Sequence, residues 1–422
     1  MRRRTALRAP LPAFRGLVVL AAAAVPTCVG LPLPVAVADT PGRCAYPGEV
    51  YRGRPWALQR VLLDELWKQS TGTGVRVAVI DTGVDVRHPQ LRAAVDVDSG
   101  VNLMPRGLKD AHGDEIERGK EDGTTDTVGH GTKVAGIIAA RPRGGTGFSG
   151  LAPGATIIPV QQNDAEGNGT AETLVEAIDH AIEQRADIIN ISQDTAEAVE
   201  PTPLLRRAVE RAVDRGVVVV ASAGNDGADG NVKKTYPASY EGVLAVASSD
   251  RDNERAAFSQ SGDFVGVAAP GVDIVTTVPG GGHCADNGTS FSAPYVSAVA
   301  ALLKSKHPDW EPRHIVARIQ QTAERATPGY DRLVGWGVVD PVRALTGDGR
   351  RIERPSAREG PTRAEAPTPA EVHLGESAAE RDARLATYAV VGTGVLVAAI
   401  GGGAVALRDA RRRKARITGD FR

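Results

Sequence analysis

The sequence predicts an α/β domain in which helices cover both faces of a mostly parallel sheet. Three observations predict it. Short β-branched runs alternate with segments of helical spacing, the pattern of βαβ units. Several of those runs are apolar throughout, as strands buried on both faces must be. Asp81 and Asn225 stand just past the ends of two runs, where functional groups gather in parallel sheets.

Taken in order, residues 75–80 form the first strand. The stretch 95–129 follows, rich in glycine and acidic residues and without periodicity, and reads as a long surface loop. Its Asp110, Asp114, Glu115, Glu117, Glu121, Asp122 and Asp126 offer oxygens of the kind calcium takes, but not at EF-hand spacing. A solvated acidic loop is expected there rather than a metal site. The segment GHGTKVAGIIAA then opens a helix at His130. Residues 156–161, 187–192, 217–222 and 243–248 are four further strands. Segments 170–184 and 203–215, with Leu, Val, Ile and Ala at helical spacing, are the helices between them. Right-handed crossovers make such strands parallel. Finally NGTSFSAPYVSAVAALL places Ser290 at the start of a helix over 291–304, with Pro294 tolerated in its first turn.

The chain has 422 residues, 42% of them hydrophobic but only 4% aromatic, so its core is mostly aliphatic. A formal net charge of -1 argues against a nucleic-acid binder driven by bulk electrostatics. Sparse aromatics and the lack of repeats give no support to a cell-wall-binding module.

The ends are of different character. Residues 1–38 read as a secretory signal: Arg2, Arg3, Arg4, Arg8 and Arg15 precede an apolar run over 16–26, and Ala36-Val37-Ala38 is a small-x-small cleavage site. A short extension, 39–70, leads to the folded domain at 71–346. Residues 347–384, rich in Pro, Ala, Glu and Arg, bury too little to fold and are expected to form a flexible stalk. Residues 385–407 are apolar, uncharged and long enough to span a bilayer. The tail 408–422 opens with Arg408, Arg411, Arg412, Arg413 and Lys414. The positive-inside rule puts that tail in the cytoplasm and the folded domain outside the cell membrane, on a single span.

Of the three cysteines, Cys28 lies in the segment expected to be removed. Cys44 and Cys284 then remain in an oxidising compartment, where one disulfide is the simplest reading and two unpaired thiols the alternative. The bridge would tie the extension to the loop before Ser290.

Asp81, His130 and Ser290 supply the parts of serine acyl transfer: a hydroxyl nucleophile, an imidazole to take its proton and a carboxylate to fix the imidazole tautomer. Singly, each has an ordinary reading as a cap, a turn former or a core side chain. Together, VAVIDTGVD, GHGTKVAGIIAA and NGTSFSAPYVSAVAALL resemble the segments of the subtilisin-like serine proteases, in that family's order Asp…His…Ser. VVVVASAGNDG resembles the strand and loop that supply the oxyanion-hole asparagine, here Asn225. The resemblance runs from about Trp56 to about Leu345.

That resemblance implies a subtilisin-like fold and a serine endopeptidase without a cofactor. It makes Ser290 the nucleophile, His130 the general base and acid, and Asp81 its orienting partner. Asn225 and the Ser290 backbone N–H would bind the oxyanion. Ser192 and Gln193 resemble the edge that pairs with an extended peptide substrate, and Ala221, Ser222, Ala223 and Gly224 the opposite wall of the primary pocket. Where relatives usually carry Ser-Leu-Gly, this chain has Ser192-Gln193-Asp194, which implies narrower substrate choice. Phe291 stands where many relatives have methionine, removing an oxidation-sensitive side chain. The short extension, the stalk and the membrane helix with its basic tail resemble the mycosins, membrane-anchored subtilisin-like proteases of type VII secretion in actinobacteria. This implies limited cleavage of secreted substrates and association with the secretion machine, or else a scaffold role in a membrane complex with proteolysis secondary. The cysteines are fewer than mycosins commonly carry.

Overall fold

The computed structural model describes residues 44–109, 112–164, 169–192, 202–228, 230, 233–347, 349–357 and 378–418. The expected signal segment, Gln193 and the middle of the expected stalk lie outside the described residues. The chain divides into two compact units, one ending at Pro355 and one beginning at Ser356.

The first unit is built on a seven-stranded parallel sheet. Its strands are β1 (Arg76–Asp81), β2 (Val101–Asn102), β3 (Thr156–Gln161), β4 (Ile188–Ile191), β5 (Val218–Ser222), β6 (Val243–Ser249) and β7 (Val265–Pro270). They lie in the order β2-β3-β1-β4-β5-β6-β7, all in parallel register. Side chains of a strand alternate between faces, and β1 divides accordingly. Val77 and Val79 pack on one side with α3 (His130–Ala139) and α6 (Thr289–Lys306). Ala78 and Ile80 pack on the other with α4 (Ala171–Glu183) and α5 (Pro203–Asp214). The helices thus cover both faces, as the sequence leads one to expect.

Local chemistry sets these helices. Thr170 caps α4 by accepting from Thr173 N at 3.1 Å, and Thr202 caps α5 ahead of Pro203. From Thr289 to Leu303, α6 is buried on every side, which makes it the central core helix. Outside the sheet, β8 (Ile274–Thr277) and β9 (His283–Asp286) form an antiparallel hairpin leading into α6, and the first unit also holds α1 (Trp56–Gln59), α2 (Leu63–Gln69), α7 (Pro312–Thr322) and α8 (Pro341–Thr346).

One expectation needs correction. The stretch 95–129 is not simply a solvated acidic loop: it contributes β2 to the sheet edge, and Asp126 is buried, with 2% of its surface exposed. The backbone donors that surround it account for this, as described below. Within the first unit, Glu353 pairs with His314 at 2.9 Å and with Arg313 at 3.1 Å.

Cys44 and Cys284 form a disulfide that links residues 240 apart. The extension is further held to the hairpin, Gly48 N donating to Gly281 O at 2.9 Å and His283 N to Glu49 O at 2.8 Å. Closing so long a loop restrains the unfolded chain strongly. Cys44→Ser is expected to lower unfolding free energy by about 2–4 kcal/mol, seen as a lower urea midpoint with a slope no smaller than the native one, since the freed unfolded chain exposes more surface; an unmoved midpoint would count against this.

The second unit contains α9 (Ala378–Thr418). Its most apolar 18-residue window has a mean hydropathy of 2.1, and by length and composition the helix is able to cross a membrane. Its large apolar side chains are exposed, Val390 by 73%.

Candidate active site

Asp81 is the last residue of β1 and is fully buried. Its Oδ1 accepts from His130 Nδ1 at 2.7 Å and from Thr82 N at 2.8 Å. A carboxylate can only accept, so Nδ1 carries the hydrogen and Nε2 of the neutral ring is left as the base. His130 is the first residue of α3. Gly129 before it has φ 91°, a left-handed conformation suited to glycine. A side chain at Gly131 would collide with Gly83 O, so this glycine lets α3 close onto the end of β1.

The His130 side chain is 28% exposed. Burial by itself would lower its pKa. The charge and hydrogen bond of Asp81, with the charge of Asp126, outweigh burial and the opposing Lys133, so the pKa lies above the ordinary imidazole value. Lys133, one turn along α3, pairs with Asp286 at 2.7 Å.

Ser290 is the second residue of α6 and 3% exposed. Its neighbour Phe291 stands against His130, ring centroids 5.5 Å apart. On the other side, Asn225 follows β5. Its Oδ1 accepts from Thr289 N at 2.9 Å and from Thr289 Oγ1 at 3.1 Å. Thr289 Oγ1 in turn accepts from Gly224 N at 3.2 Å. With its carbonyl committed to α6, Asn225 presents Nδ2 as a donor, 3.6 Å from where a Gly288 side chain would begin. Asp81 and His130 are thus bonded to each other, Asn225 is bonded to Thr289, the residue before Ser290, and Phe291, the residue after it, stands against the His130 ring.

The expected substrate wall is less uniform. Ser192 is fully buried, and its Oγ accepts from Asn190 Nδ2 at 2.7 Å. Asn190 Oδ1 then accepts from Ser297 Oγ of α6 at 2.8 Å. The Ser192 side chain is thus held inward. Ala221 pairs with both neighbouring strands and belongs to the core. Ser222 and Ala223 are also buried. Gly224 has φ 105°, and behind it lie Thr235, donating to Ala223 O at 2.8 Å, and Gln260, whose N donates to Gly224 O at 2.9 Å.

Two residues of this neighbourhood were not singled out from sequence as site residues: Thr82 and, in that role, Asp126. Asp126 Oδ1 accepts from Thr82 Oγ1 at 2.9 Å, Gly129 N at 2.7 Å and Val128 N at 3.2 Å. Its Oδ2 accepts from Thr132 N at 2.8 Å and Thr132 Oγ1 at 2.6 Å. Burial pushes this carboxyl up to about 6, with the charge of Asp81 adding to the rise and the donors of Thr132 and Gly129 opposing it. The available signal was an acidic residue shortly before a helix start. The extension also reaches this edge, Tyr46 Oη donating to Val128 O at 3.0 Å. Among the described residues, no cluster of three or more His, Cys, Asp or Glu is placed to hold a metal ion.

Residues 72–337 match the subtilase family. Subtilisin E of Bacillus subtilis (strain 168) is 36% identical over 271 residues, 64% of this chain and 66% of its own length. Subtilisin Savinase of Lederbergia lenta is 36% identical over 287 residues, 68% of this chain and 96% of its own. Among solved structures, the MycP3 protease from the type VII (ESX-3) secretion system superposes with TM-score 0.60 at 34% identity, covering 71% of this chain and 91% of that one. MycP1 from Mycobacterium smegmatis gives 0.59 at 32% identity, covering 74% and 90%.

Proposed function

We propose, from the premise that this chain belongs to the subtilase family, that it is a membrane-anchored serine endopeptidase working through an acyl-enzyme. The observation that carries the reading is the Asp81–His130 bond, with Phe291, the neighbour of Ser290 on α6, standing against the His130 ring. Ser290 Oγ attacks the peptide carbonyl carbon while His130 Nε2 takes its proton. Asp81 holds the ring and balances the imidazolium. Asn225 Nδ2 and the Ser290 N–H bind the oxyanion, at the positive end of α6. The tetrahedral centre collapses, His130 returns the proton to the leaving amine, and water cleaves the acyl-enzyme by the same route.

The substrate is an extended peptide. It pairs with main chain at Ser192 and Gln193, since the Ser192 hydroxyl is already engaged, and its side chain before the scissile bond sits along Ser222, Ala223 and Gly224. Ala221 supports that wall from within the core. Helix α9 anchors the enzyme in the cell membrane, and the basic residues from Arg408 onward favour a cytoplasmic tail with the protease outside. The likeness to MycP3 and MycP1 supports a role in processing substrates of a type VII secretion system, in association with its membrane components. The domain limits of this reading are a signal segment over 1–38, an extension to 70, the protease to about 346, a stalk to 384 and the span at 385–407.

The test uses the full chain in membranes and a fluorophosphonate probe, which labels only an activated serine. The native protein is expected to label and a folded Ser290→Ala variant not to. Equal labelling of the two would overturn the assignment.

A further inference from the structure

We propose that Asp126 is a second carboxylate of the active site, a positioning residue that ties the end of β1 to the start of α3 and holds a negative charge behind His130. The inference rests on the proposed Ser-His-Asp reading and adds a residue to it.

The hydrogen-bond geometry carries the first half. Five donors converge on the two Asp126 oxygens. Each of them gives a hydrogen and none asks for one, so these hydrogen bonds favour the ionised form and oppose the burial that raises the carboxyl to about 6; a protonated oxygen would have to displace a donor. The donors come from both sides of the Asp81–His130 bond. Val128 N, Gly129 N and Thr132 N belong to the turn into α3 and to its first turn. Thr82 Oγ1 belongs to the residue after Asp81. Thr82 is itself a bridge, its Oγ1 accepting from Gly131 N at 2.9 Å while its N donates to Asp81 Oδ1 at 2.8 Å. Moving Asp126 would therefore move Asp81 and His130 relative to each other. A shift of about 1 Å at such a pair is enough to slow catalysis severely.

Charge carries the second half. A helix N-cap alone could be a serine or threonine, which many helices use. Here a carboxylate is buried close to another, Asp81, at the electrostatic cost of placing like charges together. That cost is understandable where both charges act on a ring that becomes a cation. The charged groups bearing on His130 are Asp81 and Asp126, which favour the imidazolium, and Lys133, which opposes it. The imidazolium forms as the reaction proceeds, so the second negative charge supports that step as well as raising the pKa of the resting ring.

The test measures the pseudo-first-order rate of fluorophosphonate inactivation against pH on the full chain. It compares native protein, Asp126→Asn and Asp126→Ser; serine keeps an oxygen for the Val128 and Gly129 N–H groups but no charge. Removing the charge weakens the imidazolium, so the acid limb is expected to move to lower pH in both variants. The plateau is expected to fall by roughly ten- to a hundredfold. A purely structural cap would lower stability and the yield of active enzyme but leave the limb where it was. An unmoved limb in a folded variant overturns the proposal, as does failure of both variants to fold, which would assign the carboxylate to folding alone. Absence of labelling in the native protein would instead sink the serine-protease reading, and this proposal with it.

Discussion

Ser290→Ala and His130→Ala are each expected to lower kcat by about a million-fold, and the double variant to lose no more than either single one; this is the scale and the pattern known for the same groups in a subtilisin. The physical reason is that the two side chains perform one act. A serine hydroxyl without a base to take its proton is no better a nucleophile than solvent. An imidazole without the serine activates nothing positioned on the carbonyl. Once either is gone, the other has no work to lose. What survives is binding and the oxyanion site, because Asn225 and the residue-290 backbone N–H remain after truncation to alanine. That residue of activity is on the order of a thousand- to ten-thousandfold over water. The measurement is single-turnover hydrolysis of an activated peptide ester by the three variants. Losses that multiply in the double variant would mean that the residues act separately, and the acyl-enzyme assignment would fall.

The parts of the molecule legible in the sequence are those whose cause is local. The run over 156–161 coincides with β3, although Pro159 stands inside it, because Ile157, Ile158 and Val160 give it a β-branched apolar centre between loop signals. Helix α4 differs from the expected 170–184 only by its flanking residues, and Thr170 is its cap. Asp81 and His130 were legible because each sits in a segment whose glycines serve the same close approach. Strand β7 was not: its Gly266 faces Leu244 and its Pro270 ends it, and both weaken a strand pattern. The burial of Asp126 was hidden for a different reason. One of its partners, Thr82, is 44 positions away, and most of the rest are backbone amides, which no side-chain pattern reports. The contact of the Ser192 side chain was hidden in the same way: its hydroxyl is the outer end of a chain that runs through Asn190 to Ser297 on the central helix, which leaves its main chain for the proposed substrate edge. The composition of 95–129 described its exposed residues well and failed for the one that matters most to the site.

Asp81→Asn is expected to lower kcat about ten-thousandfold near neutral pH with KM little changed, the scale known for this exchange in a serine-protease triad. The local geometry says why asparagine cannot substitute. Asp81 Oδ1 receives two hydrogens, from His130 and from Thr82 N. Its Oδ2 is buried and has no hydrogen-bond partner among the described residues. An asparagine has one oxygen to place. If that oxygen takes the Oδ1 position, both donors keep an acceptor, but a buried NH2 group now lies where nothing receives it, and the charge that balances the imidazolium is gone. If the amide turns over, Thr82 N–H faces an NH2 group and His130 Nδ1 must become the acceptor. The ring hydrogen then moves to Nε2, the atom that has to take the Ser290 proton. The first orientation removes the electrostatic support and the second removes the base. The sign of the pH effect follows from the same balance. The His130 pKa is raised because Asp81 and Asp126 together outweigh burial and Lys133. Without the Asp81 charge the ring titrates lower, so the acid limb of kcat/KM shifts to lower pH while the plateau drops. Asp126→Asn shifts the limb in the same direction with a much smaller loss, because Asp81 still holds the tautomer. Peptide hydrolysis by both variants across pH separates these cases. A folded Asp81→Asn enzyme that lost less than about tenfold, with its limb in place, would show that His130 does not depend on Asp81 for either tautomer or charge.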